Sequence, residues 1–132
     1  MSGSTEASVA TGVRSAIGAH TQAQDAGRTN EVVALYTKDG VLELPGTDPI
    51  EGHDALRDAF QGWAPTQPQL HIVGNTVVTS SADETATALS DVAFFQRGDS
   101  GWAVQVVGHY DDTFQLEDGV WKFQRRATTY QA

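Results

Sequence analysis

The chain has no cysteine, which excludes disulfides, a thiolate nucleophile and any sulfur-ligated metal. Cations are scarce: 8 Lys and Arg stand against 17 Asp and Glu, a net charge of −9. That balance leaves no basic track for a nucleic-acid backbone. No apolar run approaches the roughly 18 residues of a membrane span. The four histidines lack the His-x-x-x-His spacing of a zinc site. No Gly-x-Gly-x-x-Gly opens a helix after a strand, and there is no Gly-x-Ser-x-Gly elbow. These absences set the expectation of a cytoplasmic protein that uses neither metal nor cofactor and engages neither nucleic acid nor membrane.

What is present is one domain's worth of sequence, 132 residues, enough to close a single core. Residues 1–12 are rich in Ser, Thr, Gly and Ala. They read as a flexible tail rather than a signal peptide, with the domain running over 13–132. Val9, Val13, Ile17, His20 and Gln24 fall on one side of a helix, and Gly27 is a stop signal. Thr29 or Asn30 caps a short second helix over Glu31–Tyr36. Lys38-Asp39-Gly40 reads as a turn, Val41–Leu44 as a short strand and 45–49 as an irregular loop. Asp54–Trp63 is a third helix that buries Leu56, Phe60 and Trp63. Four long β-branched or aromatic-rich segments follow: Gln69–Ser80, Thr85–Arg97, Trp102–Leu116 and Val120–Thr129. A tight turn at Asp118-Gly119 joins the last two. Helices first and antiparallel strands afterwards give an α+β layout, with the helices against the concave face of one curved sheet.

This order, ending in the Asp118-Gly119-Val120-Trp121-Lys122-Phe123 hairpin, resembles the nuclear transport factor 2-like superfamily and its SnoaL-like branch. The likeness covers Val13 to Thr129. It implies a cone-shaped, cystatin-like α+β barrel of curved antiparallel or mixed sheet around a deep apolar pocket. The segment His71-Ile72-Val73-Gly74 is similar to one in scytalone dehydratase and, with Asn75, to one in hexachlorocyclohexane dehydrochlorinase. Both pair an Asp at the end of the first helix with the His of that strand, and the matching positions are Asp25 and His71. Departures are equally specific. His20 stands where the dehydrochlorinase has a catalytic Lys, and Leu116 or Glu117 falls where it has an Arg. Phe94 or Phe95 replaces a second pocket His of the dehydratase, and its strand-end tyrosines have no counterpart, Leu44 lying near one of these places. The resemblance thus implies the proton-transfer dyad without either enzyme's substrate contacts.

The residues themselves admit more than one reading. In Leu70-His71-Ile72-Val73-Gly74-Asn75-Thr76-Val77, alternation puts His71, Val73, Asn75 and Val77 on one face. Imidazole takes and returns a proton near neutrality, and a carboxylate on its other nitrogen would fix the tautomer. His71 is therefore a general base oriented by Asp25, or else a hydrogen-bonded structural histidine with Asp25 capping a helix or turn. His20 and Gln24 reach a ligand if the first helix crosses the pocket mouth; otherwise they sit at a solvated edge. Tyr110, Asp112 and Phe114 share a strand face on the pocket side. There Tyr110 is a candidate donor to an oxyanion, and Asp112 is a second acid or a surface carboxylate. Asn75 orients a ligand or satisfies backbone. Arg125 follows the aromatic face of Trp121 and Phe123, as an inward anion clamp or a strand-end cation in solvent. Trp63, Phe94, Phe95 and Phe114 furnish aromatic walls, and His53 simply begins a helix.

Three functions compete. The first is a cofactor-free lyase or isomerase acting on a small hydrophobic molecule, cyclic or terpenoid-like or polyketide-like by analogy with the resembled enzymes. The second is a non-catalytic binding or assembly module of the same fold. The third is epoxide hydrolysis, which would require Asp91, Asp112 and Arg125 to converge. Strands such as Val104-Gln105-Val106-Val107 are apolar on both sides, so a homodimer through the outer sheet face is also expected.

Overall fold

A computed structural model describes residues 5–131. Among them lie three helices, α1 (Glu6–Asp25), α2 (Thr29–Ala34) and α3 (His53–Gly62). Six strands accompany them: β1 (Tyr36–Glu43), β2 (Ile50–Glu51), β3 (Gln69–Ser81), β4 (Thr85–Gly98), β5 (Gly101–Glu117) and β6 (Val120–Tyr130). All six strands belong to one sheet in the order β2-β1-β6-β5-β4-β3. Every pairing is antiparallel except β1 with β6, which is parallel. The sheet is therefore mixed and unclosed, with helices covering its concave face.

The first helix begins at Glu6, inside the segment expected to be a tail; residues 1–4 of that segment lie outside the described residues. The extension has two local causes. Thr5 caps it, its hydroxyl accepting from the Ser8 amide at 3.0 Å. Val9, 1 % exposed, then joins Val13 and Ile17 in the core. Gly12 permits a close approach here, since a Cβ at that position would lie 2.3 Å from Trp121 Cδ1. Thus α1 can settle directly onto β6.

The second helix stops at Ala34, and Tyr36, expected at its end, opens β1 instead. Burial explains the change: Tyr36 is fully enclosed, with its ring tilted against Phe123 at 5.3 Å. The Lys38-Asp39-Gly40 turn becomes an irregularity within β1, between the pairs Tyr36–Phe123 and Val41–Arg125. At the other end of the chain, Asp118 and Gly119 both have positive φ, 51° and 79°. That is the requirement of the two-residue hairpin turn between Glu117 and Val120.

Two bulges decide which side chains face inward. Opposite β4, the register of β3 shifts between Gly74 and Val77, where Asn75 adopts φ 52°. Opposite β5, Phe123 and Arg125 of β6 face the consecutive residues Phe114 and Thr113, so Gln124 is an extra residue. An extra residue flips every later side chain to the other face. Both bulges relocate residues that simple alternation assigns to the cavity.

Candidate active site

The end of α1 and the start of β3 meet at Asp25. Its carboxylate accepts three hydrogen bonds: the His71 ring Nδ1–H at 2.6 Å, the His71 backbone N–H at 2.7 Å and the Gln69 side-chain amide at 3.0 Å. An acid at a helix C-terminus opposes the macrodipole, so helix formation alone does not favour Asp25 there. The three donors compensate. Burial would raise its pKa, but the ring and backbone donors of His71 and the amide of Gln69 prevail and hold it below the ordinary carboxylate value. Ionised, the carboxylate only accepts, so His71 carries its proton on Nδ1 and leaves Nε2 as a free acceptor. The His71 side chain is 12 % exposed and that of Asp25 11 %. Phe94, the cross-strand partner of His71, stacks on the imidazole at 4.4 Å and 26°.

His71 lines a cavity of about 490 Å³ between α1, α3 and the sheet. Its apolar walls include Leu42, Leu44, Phe60, Val92, Phe94 and Val106, and Trp63 and Tyr130 stand at exposed positions on its rim. The volume suits a small ring system. His20, Gln24 and Tyr110 also line it, as do Gln69, Thr128 and Arg126.

His20 lies deeper than a helix edge: it is 2 % exposed, with aromatic rings of Tyr36, Phe60 and Phe123 packed edge-on around it. Its Nε2 meets the Tyr36 hydroxyl at 2.9 Å. Burial first, and the Arg126 and His71 charges next, push the His20 pKa well below the usual histidine value. Burial also raises Tyr36 and Tyr110, so both phenols stay protonated.

Four expected contacts are placed elsewhere. Arg125 does not face the cavity; it pairs with Glu43 at the surface. The extra residue Gln124 turns Arg126 inward in its place, where Nε and Nη2 donate to Asp112 at 2.8 and 3.0 Å. Asp112 is wholly buried and is occupied as that counter-ion, outside the cavity lining. Phe114 packs into the core against Phe123 at 4.7 Å rather than against the cavity. Asn75 is turned out by the β3 bulge and donates to Asp91 at 2.8 Å; Val77 follows it outward, 58 % exposed. The Asp91, Asp112 and Arg125 constellation required for epoxide hydrolysis is therefore not assembled. His53 begins α3 as expected, and its Nε2 also bonds the Tyr36 carbonyl at 2.9 Å.

Arg126, Tyr36 and Gln69 are site residues that the sequence did not single out. Burial disfavours the Arg126 charge, but Asp112 and the surrounding phenols outweigh it and hold its pKa above the usual arginine value. Its guanidinium lies 3.7 Å over the Tyr110 ring, a favourable cation–π geometry. Among the described residues, two buried side-chain polar atoms have no partner, His20 Nδ1 and Arg126 Nη1. A buried donor left unpaired costs roughly 1–3 kcal/mol.

No group of three or more metal-ligating side chains occurs among the described residues. No helix among them is long and apolar enough to cross a membrane.

Comparison with known proteins agrees with this architecture. A family model described as a SnoaL-like domain matches residues 5–127. No curated protein matches the chain. Solved structures resemble it closely in shape and distantly in sequence. One is a candidate scytalone dehydratase from Novosphingobium aromaticivorans, with 21% identity and TM-score 0.83, covering 94% of this chain and 85% of that one. An NTF2-like protein of cystatin-like fold from the same organism gives 21% identity and TM-score 0.83, covering 92% and 80%. A Mycobacterium tuberculosis protein of unknown function gives 19% identity and TM-score 0.87, covering 93% and 76%.

Proposed function

This chain belongs to the SnoaL-like domain family, and from that premise we propose that it is a cofactor-free lyase or isomerase, dehydratase-like in its chemistry, acting on a small hydrophobic molecule. The observation that carries the reading is the Asp25–His71 hydrogen bond of 2.6 Å at the wall of a largely apolar cavity. His71 Nε2 removes a proton from carbon beside an activating group. Asp25 holds the ring and stabilises the imidazolium that forms. The same nitrogen returns the proton, either to another carbon or to a departing hydroxyl. General acid–base help of this kind contributes on the order of 10²–10⁴ in rate. A cytoplasmic setting belongs to the same reading.

Proton exchange tests the reading with simple ketones in place of the natural substrate. A panel of cyclic ketones in heavy water is followed by proton NMR for exchange of the C–H beside the carbonyl. The wild type accelerates exchange for at least one member, and His71→Ala and Asp25→Asn abolish that acceleration while keeping the folded spectrum. Full exchange activity in either variant refutes the dyad.

The occupant proposed for the outer sheet face is a second copy of this chain. Ile72, Val77, Leu89, Val104 and Val107 are each about half exposed there, on three adjacent strands. A two-fold axis through such a face lets one apolar patch cover its own copy. Dimer mass in solution at micromolar concentration is the expected result, and a monomer contradicts it.

A further inference from the structure

Oδ1 of Asp25 carries two donors at once, the His71 ring Nδ1–H at 2.6 Å and the Gln69 amide Nε2–H at 3.0 Å, while Oδ2 takes the His71 backbone N–H at 2.7 Å. Gln69 and His71 are thus joined through a single oxygen atom. Their spacing allows it. Residues two apart on a strand share a face, roughly 6.6 Å from each other, and a glutamine side chain spans that gap. The orientation of the amide is fixed chemically, because an ionised carboxylate only accepts and must be met by N–H rather than by the amide carbonyl. The strand start that carries Gln69 is tied to β4 at successive points. Gln69 pairs with Gln96 in the ladder, the Pro68 carbonyl accepts from the Arg97 backbone N–H at 2.9 Å, and the Gln67 side-chain amide donates to the Arg97 carbonyl at 3.1 Å. Gln69 itself is 9 % exposed, and among the described residues its side chain hydrogen-bonds Asp25 alone.

We propose that Gln69 is a positioning residue of the Asp25–His71 pair: its second donor on Oδ1 keeps the shared proton on His71 Nδ1 and leaves Asp25 a pure acceptor. The consequence for turnover rests on the proton abstraction proposed above. When Nε2 takes up a proton, the ring becomes a cation and its Nδ1–H bond to Oδ1 strengthens. A carboxylate oxygen with no other donor draws that proton toward itself. A second hydrogen bond to the charged form stabilises the carboxylate as it is. The Nδ1 proton then stays on nitrogen, and the one on Nε2 is returned to the ligand. Burial works in the opposite sense, favouring a neutral carboxyl, and Gln69 is one of the donors that hold Asp25 below the ordinary carboxylate value. The other titratable groups around the pair stay neutral. His20, earlier on α1, is kept so by burial and by the charges of Arg126 and His71, and the Tyr110 phenol on β5 is kept protonated by burial. The nearby cations are engaged elsewhere, Arg126 by Asp112 and Arg28 by Glu31.

Carboxyl-carbon NMR follows the titration of Asp25 in the full chain. The one-bond N–H coupling at His71 Nδ1, read in the doubly protonated ring, reports how far the proton stays on nitrogen. Both are recorded for the wild type, Gln69→Met, Gln69→Lys and Gln96→Met. Gln69→Met keeps the side-chain length and drops the donor, so the Asp25 midpoint should rise and the coupling should fall. Gln69→Lys offers an ammonium donor to the same oxygen and should bring the midpoint to the wild-type value or below it. Gln96→Met removes an amide from the same cavity wall without removing a donor to Asp25 and should leave both readings unchanged. An unmoved midpoint in Gln69→Met overturns the inference. A midpoint above the wild type in Gln69→Lys, or a shift in Gln96→Met that matches that of Gln69→Met, also overturns it, by making packing the cause. Neither reading needs a substrate. Absence of ketone exchange in the wild type therefore refutes the proposed reaction alone, and the titration still decides the role of Gln69.

Discussion

Two Asp–His pairs flank the sheet, one on each face. Inside, Asp25 Oδ1 and His71 Nδ1 are 2.6 Å apart, with side chains 11 and 12 % exposed. Outside, Asp91 Oδ1 and His109 Nδ1 are 2.8 Å apart, with side chains 52 and 49 % exposed. The contact atoms are the same, and the surroundings differ in three respects. The inner carboxylate has three donors from β3, so its geometry is over-determined. The inner ring is stacked on Phe94 and its Nε2 is uncommitted, whereas the outer Nε2 is engaged by the Gln131 side chain at 2.9 Å. The inner pair lies where water is partly excluded and electrostatic interactions are strong, while the outer pair is screened by solvent. A hydrogen-bonded dyad is therefore not a catalytic feature by itself. In the proposed reading, the free nitrogen facing a cavity is what sets the inner pair apart.

The largest expected effect lies on the inside. His71→Ala and Asp25→Asn should each lower turnover by about 10²–10⁴, and steady-state kinetics on any substrate found by proton exchange will measure it. The corresponding outer changes, His109→Ala and Asp91→Asn, should leave that turnover unchanged; a matching loss would break the distinction between the faces. Next comes stability. Arg126→Met strands the buried Asp112 carboxylate and should cost about 3–5 kcal/mol in denaturant unfolding. Adding Asp112→Leu to Arg126→Met should restore most of that loss, because no charge is then left unpaired. A smaller effect is set by pH. The folded pKa of His20 lies below its unfolded value of 6.5, so the unfolded chain binds the extra proton first. Stability from the neutral, buried ring is present above that value and falls as pH drops below it. His20→Phe should flatten this part of the Tm-versus-pH curve. The smallest effect belongs to the outer histidine. Its hydrogen bonds to Gln131 and Asp91 raise its pKa, the opposite sign, and His109→Ala should leave the acid side of the same curve almost unaltered.

The four long strands were legible to within two residues at each end, because alternation and turn chemistry agree over more than ten residues in each. The tight turn at Asp118-Gly119 was legible for the same reason. Asp25 and His71 are 46 positions apart, and no local pattern joins them; the family resemblance alone suggested the pairing. Two of the four residues placed away from the cavity share a cause. Arg125 and Asn75 follow from alternation carried through a strand, and a bulge at Gln124 or at Gly74–Val77 breaks that alternation. Asp112 and Phe114 do face inward, but one is consumed by Arg126 and the other by the aromatic core. Facing inward is a strand property, whereas reaching the cavity depends on what lies opposite. The aromatic core also explains Tyr36: its burial against Phe123 outweighed the local helical pattern.

The central claim is that Asp25 fixes His71 with its proton on Nδ1 and its Nε2 open to the cavity. Nitrogen NMR of the imidazole groups at about pH 8, where ordinary histidine is neutral, reads the tautomer directly. The account predicts that His71 is the Nδ1–H form in the wild type and becomes a mixture in Asp25→Asn. An Nε2–H tautomer at His71 in the wild type would contradict it.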